Sequence, residues 1–335
     1  MDNLIVLCLI FVISLAILVK GSDFFTEAAE KIGLFMGLSP FIVGVTIVGV
    51  GTSMPELISS IISVFQDSSE IVIANVAGSN IANIFLIVGT ASIVSREAMR
   101  ITYNLVSVDL PLFVGSSFLL ALAVWDNHFS IGEALLFILA YLMYLFYTIK
   151  DSAENSPALE VNNEDESQSS LNNLDIDELP AIEKTPSFLI KQIIVAIISS
   201  FVIYLGANYT IESLIKISEI VNIGKEIIAV SAVAVGTSLP EFIVSVNAAL
   251  KGKAELSVGN VVGSNIFNAF IVMGIPGLIG KLTIPDTVIL SAIPVLIAGT
   301  LLLFFATQDN KLTKWEGWLF IIFYGWFIGD TFHLL

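Results

Sequence analysis

Runs of about twenty apolar residues recur along almost the whole of this chain, far more than the interior of a water-soluble domain could bury. Ten are found, near residues 4–19, 40–65, 71–94, 103–125, 131–149, 188–206, 226–250, 255–279, 287–306 and 315–332. Each is long enough to cross a hydrocarbon core about 30 Å thick. With 56% hydrophobic residues among 335 and a mean hydropathy of +0.91, the chain is suited to lipid as its solvent. It reads as an all-α polytopic membrane protein. The first run is expected to stay as a helix, because Met1-Asp2-Asn3 carries no base and no small-x-small cleavage site follows. Cys8, the single cysteine, lies inside that run, so neither a disulfide nor a cysteine metal site is expected within one chain. It is expected to be a small packing residue.

Charge is placed unevenly. Residues 151–183 hold ten acids and no base, with much Asn and Ser, and read as a solvated linker within 151–186. The spacing Asp-x-Asp-x-Asp-Gly of a calcium loop is absent there. The net charge of −16 argues against acidic partners such as nucleic acid. Cytoplasmic loops retain Lys and Arg, so the side holding Lys20, Lys31, Arg96, Arg100, Lys150, Lys184, Lys191, Lys251, Lys253, Lys311 and Lys314 is expected inside. Only Lys216, Lys225 and Lys281 fall on the other side. Both termini are therefore expected outside and the linker in the cytoplasm.

Sliding the chain on itself by 185 positions exposes an internal repeat. Gly51-Thr52-Ser53-Met54-Pro55-Glu56 falls on Gly236-Thr237-Ser238-Leu239-Pro240-Glu241. At the same offset Asn75-Val76-Ala77-Gly78-Ser79-Asn80-Ile81-Ala82-Asn83 falls on Asn260-Val261-Val262-Gly263-Ser264-Asn265-Ile266-Phe267-Asn268. Gly21 matches Gly206 and, after a two-residue slip, Pro111, Glu133 and Tyr141 match Pro294, Glu316 and Tyr324. Composition could align Leu with Val, but not Glu, Pro, Ser and Asn at identical spacing. The repeats are placed at 1–150 and 187–335, with five helices each. Five is odd, so corresponding helices run in opposite directions and the halves are inverted. Such pairs are a recurrent transporter architecture, with the substrate at the midplane between them.

Glu56 and Glu241 fall near the middles of the second and seventh runs, and Ser79, Asn80, Asn83, Ser264, Asn265 and Asn268 near those of the third and eighth. An acid at that depth costs roughly 2.5–3.5 kcal/mol and needs a compensating partner. No Lys, Arg or His occupies the centres of those four runs, so a bound cation is the simplest partner; protonated structural glutamates are the alternative. Thr52 and Ser53 precede Glu56 by four and three residues, which places their oxygens on its helical face. Pro55 and Pro240 remove the amides that would bond the Gly51 and Gly236 carbonyls. Ser79 and Asn83, one turn apart, offer neutral oxygens from the neighbouring helix. Such an all-oxygen set suits a hard cation that wants six to eight ligands at about 2.3–2.6 Å. Two carboxylates match the charge of one divalent ion.

Over essentially the whole chain outside the linker, the doubled motifs G-T-S-[ML]-P-E and G-S-N-I-x-N resemble the alpha-repeats of the cation/calcium exchanger superfamily, particularly its prokaryotic sodium/calcium exchangers. The resemblance implies a fold of ten transmembrane helices as two inverted five-helix repeats, with helices one and six sliding across a core of eight. It implies calcium and sodium as transported ions, three sodium per calcium, at Glu56 and Glu241. It implies backbone carbonyl ligands at Thr52 and Thr237, and sodium sites lined by Ser53, Ser238, Ser79 and Ser264. Potassium-dependent relatives carry Asp where this chain has Asn268, and proton/calcium relatives carry an extra acid near Asn80 or Asn265. Their absence favours sodium alone, with proton-coupled or potassium-dependent exchange as the alternatives.

No enzyme is expected: an intramembrane metallohydrolase would need a set such as His-Glu-x-x-His, and an aspartyl site paired Asp. A cation channel is the remaining rival. No cofactor and no obligatory protein partner are expected, only the ions and the bilayer. Asp23, which matches Asn208, reads as a helix-end cap; Asp109 as an interfacial or helix-packing residue; His128 and His333 as separate edge residues; and Trp315, Trp318 and Trp326 as an interfacial belt and packing surface.

Overall fold

The computed structural model describes residues 2–101, 109–155, 185–221 and 238–331. Thr237, the first part of the seventh run, most of the acidic linker and His333 lie outside them. Among the described residues, seven helices are long and apolar enough to span a membrane. In chain order the helical elements are α1 (Asp2–Met36), α2 (Pro40–Phe65), α3 (Glu70–Val94), α4 (Asp109–Val124) and α5 (Ile131–Asn155). Then come α6 (Pro186–Val221), α7 (Leu239–Leu250), α8 (Ala254–Ile279), α9 (Val288–Ala306) and α10 (Lys314–Thr331).

α1 and α6 are far longer than the apolar runs of 4–19 and 188–206 that announce them. Beyond Lys20 the helix turns amphipathic and buries Phe25, Ala28, Ala29 and Ile32, so a polar stretch that ends the apolar run does not end the helix. Asp23 is accordingly no cap. It sits inside α1 and pairs with Lys251 and with Asn247, whose amide donates to it at 2.7 Å. The two long helices pack chiefly on each other. The Gly206 position meets the backbone of Leu18, and Thr210 Oγ1 donates to Ser14 Oγ at 2.9 Å. Cys8 is exposed, contrary to its expected packing role. Burial statistics drawn from water-soluble interiors do not transfer to a surface whose solvent is apolar.

α5 continues to Asn155, five residues past the expected repeat boundary, because Asp151 to Asn155 contain no Gly or Pro to stop it. α5 and α10 begin with matching capping boxes: Glu133 accepts from the Ser130 amide at 2.6 Å, and Glu316 from the Thr313 amide at 2.8 Å. That shared bond to the capping residue's amide explains why this glutamate recurs in the repeat. Connections segregate to the two ends of the bundle. At one end the Thr283 amide donates to Ser69 Oγ at 3.1 Å and Asn127 Nδ2 to the Ile284 carbonyl at 3.1 Å. At the other, β1 (Met99–Arg100) pairs antiparallel with β2 (Lys311–Leu312).

The centre is formed by α2, α3, α7 and α8. The first half of α2 crosses α8 backbone against backbone. A Cβ at Gly263 would lie 2.1 Å from the Val45 carbonyl oxygen, and one at Gly259 2.5 Å from that of Phe41. Only glycine permits this approach, which brings the Thr52 end of α2 against Asn260 and Ser264.

A candidate cation site between the repeats

α2 breaks at Ser53, whose φ of −86° and ψ of 6° leave the helical region two residues before Pro55. Ser238 adopts −87° and 9° before Pro240. Glu56 therefore stands in the first turn of a helix that restarts inside the protein, and Glu241 in the first turn of α7. Both are buried, at 1% and 0% exposure. The nine described candidates (Glu56, Glu241, Thr52, Ser53, Ser238, Ser79, Ser264, Asn83 and Asn268) all have 3% exposure or less. Thr237 lies outside the described residues. No described Lys, Arg or His side chain is buried.

The hydrogen bonds repeat across the halves. Asn75 Nδ2 donates to Ser60 Oγ at 3.2 Å and to the Glu56 carbonyl at 3.4 Å. Asn260 Nδ2 donates to Ser245 Oγ at 2.8 Å and to the Glu241 carbonyl at 3.4 Å. Each asparagine thus ties the helix carrying the next motif to the turn that carries the glutamate. At Asn83 and Asn268, 185 positions apart, α3 and α8 both widen into π-helical segments, Asn83–Val88 and Asn268–Val272. Such bulges are frequent at functional sites.

Contacts across the halves bring the candidates together. Ser53 Oγ donates to Glu241 Oε1 at 2.9 Å. Thr52 Oγ1 donates to Asn260 Oδ1 at 3.1 Å, and Ser264 Oγ donates to the Gly49 carbonyl at 3.3 Å. The Thr52 hydroxyl is thereby held against α8. Glu241 Oε2, Ser238 Oγ, Asn83 Oδ1 and Asn268 Oδ1 are buried without a hydrogen-bond partner among the described residues. Leaving such oxygens unsatisfied in a protein interior is costly, and a cation is a ligand that satisfies several at once.

Four residues that sequence reasoning did not name as site residues belong to this framework: Asn75, Asn260, Ser60 and Ser245. Their signal was present, since both pairs are identical at the 185-residue offset, and only their supporting role required coordinates. Asp109, expected to be interfacial or to pack between helices, is buried and accepts from Tyr144 Oη at 3.0 Å. His128 is exposed on a connection.

Residues 6–150 and 191–329 match the family described as "Sodium/calcium exchanger protein". The sodium/calcium exchanger MaX1 of Methanosarcina acetivorans is 34% identical over 347 residues, covering 97% of this chain and 98% of that protein. Human sodium/potassium/calcium exchanger 1 is 31% identical over 131 residues, 39% of this chain and 12% of its own length. A solved structure of the sodium-calcium exchanger NCX_Mj superposes with a TM-score of 0.77 at 26% identity, covering 98% of this chain and 99% of that one.

Proposed function

The chain belongs to the sodium/calcium exchanger family, and on that premise we propose that it exchanges sodium for calcium across the membrane by alternating access. Ten transmembrane helices form two inverted repeats, 1–150 and 187–335, and the ions bind at the midplane between them. The linker of 151–186 is cytoplasmic and both termini are outside. Glu56 and Glu241 are the principal ligands of calcium. The carbonyls of Thr52 and Thr237 and the amide oxygens of Asn83 and Asn268 complete an oxygen shell of six, the lower limit calcium accepts. Ser53, Ser238, Ser79 and Ser264 flank this shell and line the sodium positions. The transported ions are cargo, and the site calls for no cofactor.

The carrying observation is the set of buried oxygens around the two helix starts that hold Glu56 and Glu241, with Glu241 Oε2, Asn83 Oδ1 and Asn268 Oδ1 lacking a hydrogen-bond partner among the described residues. Alternating access needs one part to move while the site stays intact. α1 and α6 suit that part, being long and packed chiefly on each other. The test is calcium uptake into sealed proteoliposomes: uptake should require an opposed sodium gradient. Calcium flux that runs without it would assign a channel.

A further inference from the structure

Four asparagines lie where α3 meets α8, and their amides can be oriented by elimination. Asn80 Nδ2 donates to the backbone carbonyl of Asn265 at 3.1 Å, and Asn265 Nδ2 donates to that of Asn80 at 3.2 Å. A carbonyl oxygen only accepts, so neither amide can be flipped without placing oxygen against oxygen. The Oδ1 atoms of this pair are then left facing the next asparagines. Asn80 Oδ1 accepts from Asn268 Nδ2 at 3.1 Å, and Asn265 Oδ1 accepts from Asn83 Nδ2 at 2.9 Å. The direction of the second pair follows from the first: Asn83 and Asn268 must turn their own Oδ1 away from these partners. Those two oxygens are buried and meet no hydrogen-bond donor among the described residues.

We propose that Asn80 and Asn265 are positioning residues that aim the amide oxygens of Asn268 and Asn83 at the transported cation, each acting on the asparagine of the opposite repeat. This rests on the reading of a cation site at Glu56 and Glu241. An asparagine amide is nearly symmetrical in shape, so packing alone does not choose which end faces an ion. The wrong end presents two N–H groups to a cation in a medium of low dielectric, where repulsion is strong. The crossed arrangement removes that choice, and it exists only while the two repeats face each other.

Crossed double-mutant cycles test the assignment, with the calcium KM and maximal rate of sodium-driven uptake into proteoliposomes as the readout. Asn80→Ala should raise the calcium KM roughly tenfold or more by freeing the Asn268 amide, with the maximal rate much less affected. A carboxylate has oxygen at both ends and needs no aiming. In the Asn268→Asp background, where a carboxylate oxygen faces Asn80 Oδ1, Asn80→Ala should therefore leave KM within about twofold or lower it, and should not raise it. Asn265→Ala should lose its effect in the Asn83→Asp background and keep it in the Asn268→Asp background. If Asn80→Ala fails to insert, the Asn265→Ala arm carries the same test. An equal penalty from Asn80→Ala or Asn265→Ala in every background would reduce these residues to packing and overturn the inference. Glu241→Gln in the same vesicles should abolish uptake however the asparagines behave. Uptake retained by that variant would remove the site itself, and the inference with it.

Discussion

Among the asparagines that brace Glu56 and Glu241 the two halves repeat each other's hydrogen bonds, although Ser53 donates to Glu241 while Ser238 Oγ has no partner among the described residues. The loops that touch α1 and those at the mirrored positions do not repeat each other. Asn75 with Ser60 mirrors Asn260 with Ser245, and the four central asparagines form two matching crossed pairs. At one end of the bundle Asp23 pairs with Lys251, and Glu30 with Lys253, tying α1 to the loop after α7. The mirrored positions hold Asn208, Gln66, Ile215 and Ser68, which cannot form ion pairs. Symmetry is kept among these buried polar side chains, since a misplaced polar atom there costs several kcal/mol. It has lapsed where side chains are partly exposed, because such ion pairs contribute about 0–1 kcal/mol each. The two ends of the bundle are therefore electrostatically unlike, although the centre is not.

The largest expected effect would come from breaking the centre. Glu56→Gln or Glu241→Gln should each abolish calcium transport, since removing one charge from a buried, charge-matched cluster costs roughly 3–5 kcal/mol. Calcium titration of the purified variants checks this, and a symmetrical site demands losses of similar size. A variant that binds and transports normally would show that the halves differ in role despite their matching bonds.

Gly263→Ala probes the crossing of α2 and α8, where the added Cβ would overlap the Val45 carbonyl. Overpacking of this kind costs about 1–3 kcal/mol, more where backbone must move. The thermal midpoint of the detergent-solubilised protein should fall by several degrees. Gly78 occupies the mirrored position, where an added Cβ meets no described atom within 4 Å, so Gly78→Ala should cause a much smaller fall.

A smaller effect is expected from Lys251→Gln with Lys253→Gln, on the order of 1 kcal/mol in total and vanishing at high salt. The same measurement on Gln66→Ala with Ser68→Ala should show no salt-dependent change. A salt-dependent loss there would mean that the opposite end carries ionic contacts of its own. Smallest of all, deleting residues 158–182 should leave sodium-driven uptake within about twofold, since that stretch has few apolar residues to contribute to a core. Loss of uptake by a correctly inserted deletion protein would give the linker a role beyond tethering.

Much of the candidate site was legible because the membrane makes polarity expensive. Glu56, Ser79 and Asn83 stand out only because apolar residues surround them, and the 185-residue offset then identifies their partners. The same logic misjudged Asp23, since a charge after an apolar run looks like a helix end until its partner Lys251, far away in sequence, is seen beside it. It also shortened α1 and α6, whose later turns are amphipathic, and it misplaced Cys8, whose outward face is lipid.

What the sequence determined by itself was the solvent, the repeat and the residue types that could hold a cation, all of which rest on composition and spacing along one chain. Only the tertiary structure decided that Ser53 donates to Glu241, that α1 packs on α6, and that Asn80 rather than Asn83 is held by a backbone carbonyl. Those outcomes depend on which atom of one repeat lies within about 3 Å of which atom of the other, and hydrogen-bond direction at that range is a property of the assembled pair.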